Sequence, residues 1–272
     1  MNNNNTFDKS ATEIMEGHVE TAGSSVTDRP PSLFETAKKK IGGALVVLFG
    51  ILAKAKVLLT FGTALLSALF YGFIFGLPFG VGIVVILLIH EFGHVVALRM
   101  KGIAASLPVF IPFLGAAIAM KENPRSVADE AFIGGAGPLT GLIASVVCFG
   151  VYELTGSQLF AALAYFGFFL QAFNLIPVSP LDGGRMMAAV DRRFWWIGLI
   201  IFGAVIIYNL SPFSIIIGVI IAVEFLATRN APHPADYYSI PTKTKIITML
   251  TWLGMLAASL FGMGLLPVIA SK

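Results

Sequence analysis

An apolar run over residues 84–98 carries two histidines and a glutamate in its middle. His90 and His94 stand four positions apart, so on a helix both imidazoles lie on one face, one above the other. Glu91 directly follows the first histidine, which gives the His-Glu-x-x-His pattern of zinc sites in which the glutamate activates a water molecule. Because ionisable side chains are costly at membrane depth, three of them in one apolar segment indicate a functional site.

The competing explanation is structural, since a short pattern arises by chance and a buried histidine is usually a satisfied core residue. The apolar surroundings favour the metal site over that explanation. The other two histidines, His18 and His233, lie in polar stretches, so His90 and His94 form the candidate histidine site within the membrane.

The composition is that of a multi-spanning membrane protein. Of the 272 residues, 57% are hydrophobic and 12% are charged, and the mean hydropathy is +0.85. These values exclude an ordinary soluble domain. The net charge of +3 fits positive loops on one membrane face better than nucleic-acid binding. The single cysteine, Cys148, excludes an intrachain disulfide and a cysteine-rich metal cluster, and its apolar surroundings indicate packing.

The N-terminal region is polar and lacks the apolar core of a secretory signal. We predict that residues 1–40 form a disordered tail. The lysines at 38–40 precede the first apolar residues and place the tail in the cytoplasm by the positive-inside rule. Residues 41–53 are apolar but too short to span comfortably, and Lys54 and Lys56 follow them. Residues 41–56 therefore fit either an interfacial helix or an extension of the first span.

Apolar segments separated by turn signals predict an all-α polytopic membrane protein with six or seven transmembrane helices. The number depends on residues 194–227, an apolar run interrupted by a turn signal at 209–212. One helix of this length would reach about 50 Å, well beyond the hydrocarbon core of about 30 Å. Two limbs, 194–210 and 212–227, keep the following positive residues in the cytoplasm, so the charge bias favours a hairpin over one kinked helix. The other spans are expected at residues 57–76, 79–98, 127–152, 157–177 and 246–268.

Residues 102–120 are apolar, yet Pro108 and Pro112 argue against one regular helix. We predict extended or re-entrant backbone, which is tolerated at membrane depth only inside protein or beside a water-filled cavity. The segment directly follows the histidine helix, so we expect it to line the site. In the third span, the small residues at 134–138 and Gly141 predict close helix packing, here against the histidine helix.

A second polar cluster follows the fourth span, with the sequence Asn-Leu-Ile-Pro-Val-Ser-Pro-Leu-Asp-Gly-Gly-Arg over residues 174–185. Its prolines and glycines are expected to break the helix and to present Asp182 on irregular backbone. A plain turn is the alternative, because Asp-Gly is a common turn dipeptide. A catalytic zinc takes three protein ligands, and Asp182 is the best-placed third one. Weaker candidates are the carboxylates of Glu122, Glu130, Glu153 and Glu224.

With both motifs in view, the chain resembles the site-2 protease family of intramembrane zinc metalloproteases. The likeness rests on residues 90–94, Gly137-Pro138 and residues 174–185. In addition, residues 110–116 resemble the loop that follows the histidine helix in many bacterial members. It covers roughly residues 57–193. Because the chain leaves no room for PDZ or CBS modules, we expect it to resemble the compact form of the family.

The resemblance implies one zinc ion bound by His90, His94 and Asp182, with Glu91 as general base and later acid. Asn174 matches an asparagine that helps to hold substrate or the oxyanion, although hydrogen bonding within the broken helix is an equal explanation. The implied organisation is a catalytic transmembrane core followed by C-terminal transmembrane helices, with the bounds 57–193 and 194–272.

The implied activity is cleavage of transmembrane or membrane-embedded substrates near the cytoplasmic face, with a substrate strand pairing to backbone within residues 103–119. The expected partners are a membrane-spanning protein or peptide and the lipid bilayer, and no nucleic acid. The expected location is the cell membrane, with multiple spans and a cytoplasmic N-terminus. Three alternatives stay open: a metal transporter, an inactive membrane scaffold, and another membrane zinc protease whose third ligand is a later glutamate such as Glu224.

Overall fold

The structure is a computed structural model, which describes residues 57–111, 115–118, 120, 122–208, 211–229 and 232–266. The predictions for residues 1–40 and 41–56 lie outside the described residues. The described chain contains helices and one short hairpin, in the order α1 (Val57–Phe75), α2 (Leu77–Met100), β1 (Val109–Ile111), β2 (Gly115–Ala117), α3 (Val127–Thr155), α4 (Gln158–Asn174), α5 (Asp182–Val190), α6 (Phe194–Tyr208), α7 (Pro212–Arg229) and α8 (Thr242–Leu265).

Four of these helices, α1, α2, α3 and α8, are long and apolar enough to cross a membrane. Helices α4 and α6 are apolar but shorter. Large apolar side chains cover the outer surfaces, as at Leu58 and Ile200, which are 73% and 72% exposed. Such surfaces suit lipid rather than water, so the chain is an all-α polytopic membrane protein, as predicted. The number of crossings, six or seven, stays a prediction.

Helix α3 is the packing centre, because it contacts α2, α4, α5 and α8. Small residues permit this close approach, as the glycine pattern predicted. A Cβ added at Gly93 of α2 would lie closer than 3.0 Å to Thr140 and Ala136 of α3. The backbones of α2 and α3 are therefore near enough for side chains of one helix to reach the other.

The predicted hairpin at residues 194–227 is confirmed. Helix α6 leaves from the residue after Arg193, and α7 returns to end at Arg229. The guanidinium of Arg192 donates to the carbonyl oxygen of Arg229 over 2.5 Å, so the start of α6 and the end of α7 are neighbours.

One end of the bundle collects the positive charge. Lys101 after α2 pairs with Asp129 of α3 at 2.7 Å, and the backbone N–H of Val127 donates to the carbonyl oxygen of Tyr237 at 3.0 Å. These contacts join the end of α2, the start of α3 and the segment before α8. We call this the charged end. It carries the lysines and arginines of the described residues, namely Arg99, Lys101, Arg125, Arg185, Arg192, Arg193, Arg229, Lys243 and Lys245.

The extended backbone predicted after the second span is also present. Strands β1 and β2 pair antiparallel, with Val109 opposite Ala117, and an isolated bridge joins Ala105 to Met120. Phe110 is buried, and its backbone N–H donates to the hydroxyl of Thr63 in α1 at 3.2 Å. The hairpin is thus held against the helices by a buried side chain and by a hydrogen bond.

The predicted break in the helix is confirmed, since residues 175–181 separate α4 from α5, but the irregular backbone predicted at Asp182 itself is wrong. Asp182 is the first residue of α5, and the glycines after it lie inside this helix. A Cβ at Gly183 would lie closer than 3.0 Å to the backbone of Leu175, and one at Gly184 would meet the backbone of Val178. The glycines therefore allow α5 to pack closely against the chain that precedes it. From the sequence, they were expected to interrupt a helix.

Candidate metal centre

His90 and His94 project from one face of α2, with their Nε2 atoms 3.2 Å apart. Both side chains are buried, and they lie on the side of α2 that faces α3. Asp182 at the start of α5 completes the cluster. Its Oδ2 atom lies 3.1 Å from Nε2 of His90 and 3.3 Å from Nε2 of His94. The three side chains, separated by up to 92 positions in the sequence, thus direct one ligand atom each at a common point.

The spacing of these atoms fits a zinc ion. Bonds of about 2.0 Å in a tetrahedron place neighbouring ligand atoms about 3.3 Å apart. The three observed separations, 3.1, 3.2 and 3.3 Å, match this value. Among the described residues, these three form the group of histidine and carboxylate side chains that could hold a metal.

The opposite ring nitrogens orient the imidazoles. Nδ1 of His90 lies 2.8 Å from Oε1 of Gln171 in α4, and Nδ1 of His94 lies 2.8 Å from the carbonyl oxygen of Ile133 in α3. Both partners are acceptors, so each Nδ1 carries the proton and donates. In the neutral form of each ring, Nε2 then carries the lone pair that a metal ligand requires. Two neutral imidazoles and one carboxylate form a donor set that zinc accepts with a fourth position left open.

Glycines of α3 make room for this arrangement. A Cβ at Gly137 would lie closer than 3.0 Å to ring atoms of both His90 and His94. A Cβ at Gly141 would meet the amide group of Gln171 at a similar distance. The small residues of the third span therefore serve both the helix packing and the volume of the site.

Comparison with known proteins places this cluster in a family. Residues 78–158 and 151–194 match peptidase family M50. A zinc metalloprotease of Methanocaldococcus jannaschii is 31% identical over 129 residues, which cover 46% of this chain and 36% of that protein. A probable chloroplastic zinc metalloprotease of Arabidopsis thaliana is 31% identical over 174 residues, covering 47% of this chain and 31% of that protein. Over residues 78–194, the chain is similar to peptidase family M50, the site-2 protease family.

The M50 match contains His90, Glu91, His94, Asn174 and Asp182. The matched region spans about a third of the length of each of the two relatives. The similarity to family M50 therefore lies in the helices that build the metal cluster, α2 to α5.

Glu91 lines the same cavity as the three metal-ligand candidates and is only 6% exposed. The cavity has a volume of about 300 Å3. Its lining comprises His90, Glu91, His94, Leu98, Ile118, Met120, Ile133, Asn174, Pro180, Leu181, Asp182 and Arg185. The segment after β2 supplies Ile118 and Met120, so the extended region lines the site, as predicted.

Asn174 is the last residue of α4 and also lines the cavity. Its side-chain N–H donates to the carbonyl oxygen of Leu170 at 3.0 Å. The hydrogen bond expected within the helix is therefore present, and the role of Asn174 toward substrate stays a prediction.

Two polar residues at or beside the metal cluster were missed in the sequence. Arg185 follows Asp182 by three positions on α5, which brings its side chain to the same cavity. Gln171 is fully buried in α4 and holds His90. The signal for Gln171 was available, since a glutamine within an apolar span is costly without a partner. Arg185 could be placed beside Asp182 only if residues 182–190 had been predicted as a helix.

The weaker third-ligand candidates lie elsewhere. Glu122, Glu153 and Glu224 are exposed. Glu130 accepts a hydrogen bond from the hydroxyl of Tyr237 at 2.5 Å. Asp182 is therefore the carboxylate that the described structure places beside both histidines.

Proposed function

We propose that this chain is an intramembrane zinc metalloprotease that cleaves membrane-embedded peptide substrates near the cytoplasmic face. The observation that carries the proposal is the convergence of His90, His94 and Asp182 on one point, with Glu91 in the same buried cavity. In the proposed site, the Nε2 atoms of both histidines and Oδ2 of Asp182 hold the ion. A bound zinc ion acts as a Lewis acid toward a carbonyl oxygen and makes a water molecule nucleophilic at neutral pH.

Glu91 is the proton carrier in this proposal. It shares the cavity with the ligands but follows His90 by one position, so its carboxylate points about 100° around the helix from that imidazole. A carboxylate placed in this way accepts a proton from the attacking water and passes it to the leaving amine. Asn174, whose amide lines the same cavity, positions the substrate carbonyl or its oxyanion.

The hairpin of β1 and β2 is the proposed docking edge for substrate. A helical substrate hides its peptide groups in its own hydrogen bonds, so it must unwind before a peptide bond can reach the cavity. A strand that pairs with the hairpin backbone replaces the hydrogen bonds lost on unwinding. Ile118 and Met120 line the cavity directly after β2, which supports cleavage close to this edge.

The charged end is the proposed cytoplasmic face. Lysines and arginines are enriched in cytoplasmic loops, and the described ones lie at this end of the bundle. His90 precedes the last residue of α2, Met100, by ten positions, which places the cluster roughly 15 Å from the charged end. A location in the cell membrane and a cytoplasmic N-terminus belong to the same proposal.

The test uses full-length protein purified in detergent, with bound zinc and cleavage of a membrane peptide both measured. We expect Glu91→Gln to keep zinc and to lose cleavage, because the metal ligands stay while the proton carrier is removed. His94→Ala is expected to lose both. Glu224→Gln, the same change at an exposed glutamate of α7, should match the wild type in both measurements. Full cleavage by Glu91→Gln would overturn the proposed mechanism.

Zinc content also identifies the third ligand. We expect Asp182→Ala to lose most of its zinc, while Glu224→Ala keeps it. The reverse result would favour the other kind of membrane zinc protease considered from the sequence. Zinc bound normally by both variants would place the third ligand outside the two candidates and contradict the proposed site.

A further inference from the structure

A second cavity lies at the charged end, outside the proposed active site. Its volume is about 290 Å3, and it is formed by the turn between α5 and α6 together with the last turns of α7. Three arginines, Arg192, Arg193 and Arg229, line it together with Trp195 and Trp196. The proposed proteolysis uses none of these residues.

Two of the arginines are held in place by aromatic rings. The guanidinium of Arg192 lies 5.1 Å from the ring of Trp195 and 5.3 Å from the ring of Tyr238. The guanidinium of Arg229 lies 5.1 Å from the ring of Trp196. Stacking occupies the face of a guanidinium and leaves N–H groups at its edge for an anion. The arginines are thus positioned before any ligand arrives.

Positive charge in this cavity exceeds negative charge. Asp191 is the one acidic residue among the lining residues, and its carboxylate accepts the backbone N–H of Arg193 at 2.8 Å. Within the described ranges, no carboxylate forms an ion pair with Arg192, Arg193 or Arg229. A planar guanidinium matches a phosphate group in shape and charge, so a phosphate-bearing ligand suits the cavity.

The surface next to the cavity indicates where such a phosphate comes from. Helix α6 leaves the cavity with an exposed apolar face that includes Trp196, Ile197 and Ile200. Helix α7 adds exposed side chains such as Val223 and Leu226. Acyl chains pack against surfaces of this kind, and tryptophan is enriched at the level of lipid headgroups. A soluble phosphate would use the arginines but not the adjoining apolar face.

We propose that the cavity lined by Arg192, Arg193 and Arg229 binds the headgroup of an anionic phospholipid, whose acyl chains lie along α6 and α7. The site adjoins the helix that presents Asp182. The indole N–H of Trp195 donates to the carbonyl oxygen of Gly184 at 2.7 Å, which ties the cavity wall to the first turn of α5. A bound lipid therefore stabilises the corner from which α5 and α6 extend.

The experiment measures lipid binding to the full-length protein in detergent by native mass spectrometry. The probes are dioleoyl phosphatidylglycerol and dioleoyl phosphatidylcholine, which share their acyl chains and differ in net charge, and soluble glycerol phosphate. The test variant is Arg193→Gln with Arg229→Gln, both exposed positions. The matched control is Arg99→Gln with Arg125→Gln, which removes the same charge at exposed positions of the same end.

We expect the wild type to prefer phosphatidylglycerol and the test variant to bind it roughly 30-fold more weakly, the loss for two arginines near an anionic headgroup. The control variant and the binding of phosphatidylcholine should be unchanged. Wild-type affinity in the test variant, or an equal loss in the control, would overturn the proposal. Glycerol phosphate that binds as tightly as the lipid would also overturn it, in favour of a soluble phosphoester.

Thermal unfolding of each variant shows whether a loss of lipid binding comes from a loss of folding. Neither measurement depends on the proposed protease activity. If the double variant unfolds early, Arg193→Gln alone decides the matter. The guanidinium of Arg193 makes no side-chain hydrogen bond or ion pair within the described ranges, so this change leaves the packing intact. Undiminished phosphatidylglycerol binding by that single variant would contradict the proposal.

Discussion

Gln171 illustrates how a single buried amide can govern a metal site. It lies in an apolar helix, is fully buried, and directs Oε1 to Nδ1 of His90 at 2.8 Å. Its Nε2 atom has no hydrogen-bond partner among the described residues, so the amide is buried at a cost. The hydrogen bond to His90 is the compensating feature, because it fixes the tautomer and the ring orientation of a candidate ligand.

We predict that Gln171→Leu lowers zinc affinity by roughly 10- to 100-fold, the range found when such outer hydrogen bonds are removed. Gln171→Glu keeps an acceptor for Nδ1 of His90 and should retain zinc. The measurement is competition for zinc with a chelator of known affinity. Gln158→Leu, at an exposed position near the start of α4, is the control and should not change the affinity. Equal affinities for Gln171→Leu and the wild type would show that this hydrogen bond is not needed.

The sequence identified the residues whose chemistry follows from spacing. His90, Glu91 and His94 are adjacent on one helix, so local periodicity is enough to group them. Asp182 was assigned from the ligand number of zinc and from a resemblance. Gln171 stands out as a polar residue in an apolar span, but its partner could not be assigned. The helix that packs beside His90 is decided by tertiary contacts such as those of Gly141.

At the scale of elements, the approach of α3 to α2 is the feature on which the site depends. We predict that Gly137→Ala loses zinc and lowers the free energy of unfolding by about 1–3 kcal/mol, because the added Cβ would overlap both imidazoles. Gly150→Ala is the control in the same helix, where an added Cβ has nothing within 4 Å. It should keep zinc and be neutral or slightly stabilising, since alanine favours helix over glycine. Zinc content and thermal unfolding of the two variants test the contrast.

Tyr237 joins the segment between α7 and α8 to α3. Tyr237 is buried, its hydroxyl donates to Oε2 of Glu130 at 2.5 Å, and its ring stacks on His233 with centroids 4.3 Å apart. Burial, and next the carboxylate of Glu130, raise the pKa of Tyr237 well above its ordinary value of 10.0. Glu130 lies 4.0 Å from Nε of Arg185, so this contact reaches the rim of the proposed active site.

A raised pKa means that folded Tyr237 holds its proton more tightly than the unfolded chain does. Its contribution to stability is therefore fully present below pH 10 and is lost as the pH rises above that value. We predict that Tyr237→Phe lowers the free energy of unfolding at neutral pH by about 1–3 kcal/mol and weakens the decline above pH 10. Unfolding measured from pH 7 to pH 11 tests this, with Tyr208→Phe as the exposed control. Identical pH profiles for Tyr237→Phe and the wild type would contradict it.

The helices and strands were predicted correctly where local composition determines the secondary structure. They were predicted wrongly where tertiary packing determines it. The spans 79–98 and 127–152 correspond to α2 and α3, since long apolar segments admit one arrangement in a membrane. The prolines at 108 and 112 correctly indicated extended backbone. Helix α5 was missed because Gly183 and Gly184 disfavour helix locally, and only contacts with Leu175 and Val178 explain them.

At the scale of the whole molecule, the charged end brings three features together. The arginine cavity and the segment before α8 lie there, and Arg185 of the charged end lines the proposed active-site cavity. Substrate, lipid and water would thus approach the protein from one membrane face. The orientation of that face is the premise on which cytoplasmic cleavage depends.

We predict that the charged end faces the cytoplasm, because the described lysines and arginines lie there. In a Cys148→Ala background, which removes the single native cysteine, Lys243→Cys is placed at the charged end and Gln158→Cys at the opposite end. A maleimide that does not cross membranes should label position 158 in intact cells of the expression host and position 243 only after lysis. The reverse pattern would place the metal cluster near the outer face and exclude cytoplasmic cleavage. It would leave the zinc and lipid predictions intact, because these depend on the sites and not on the orientation.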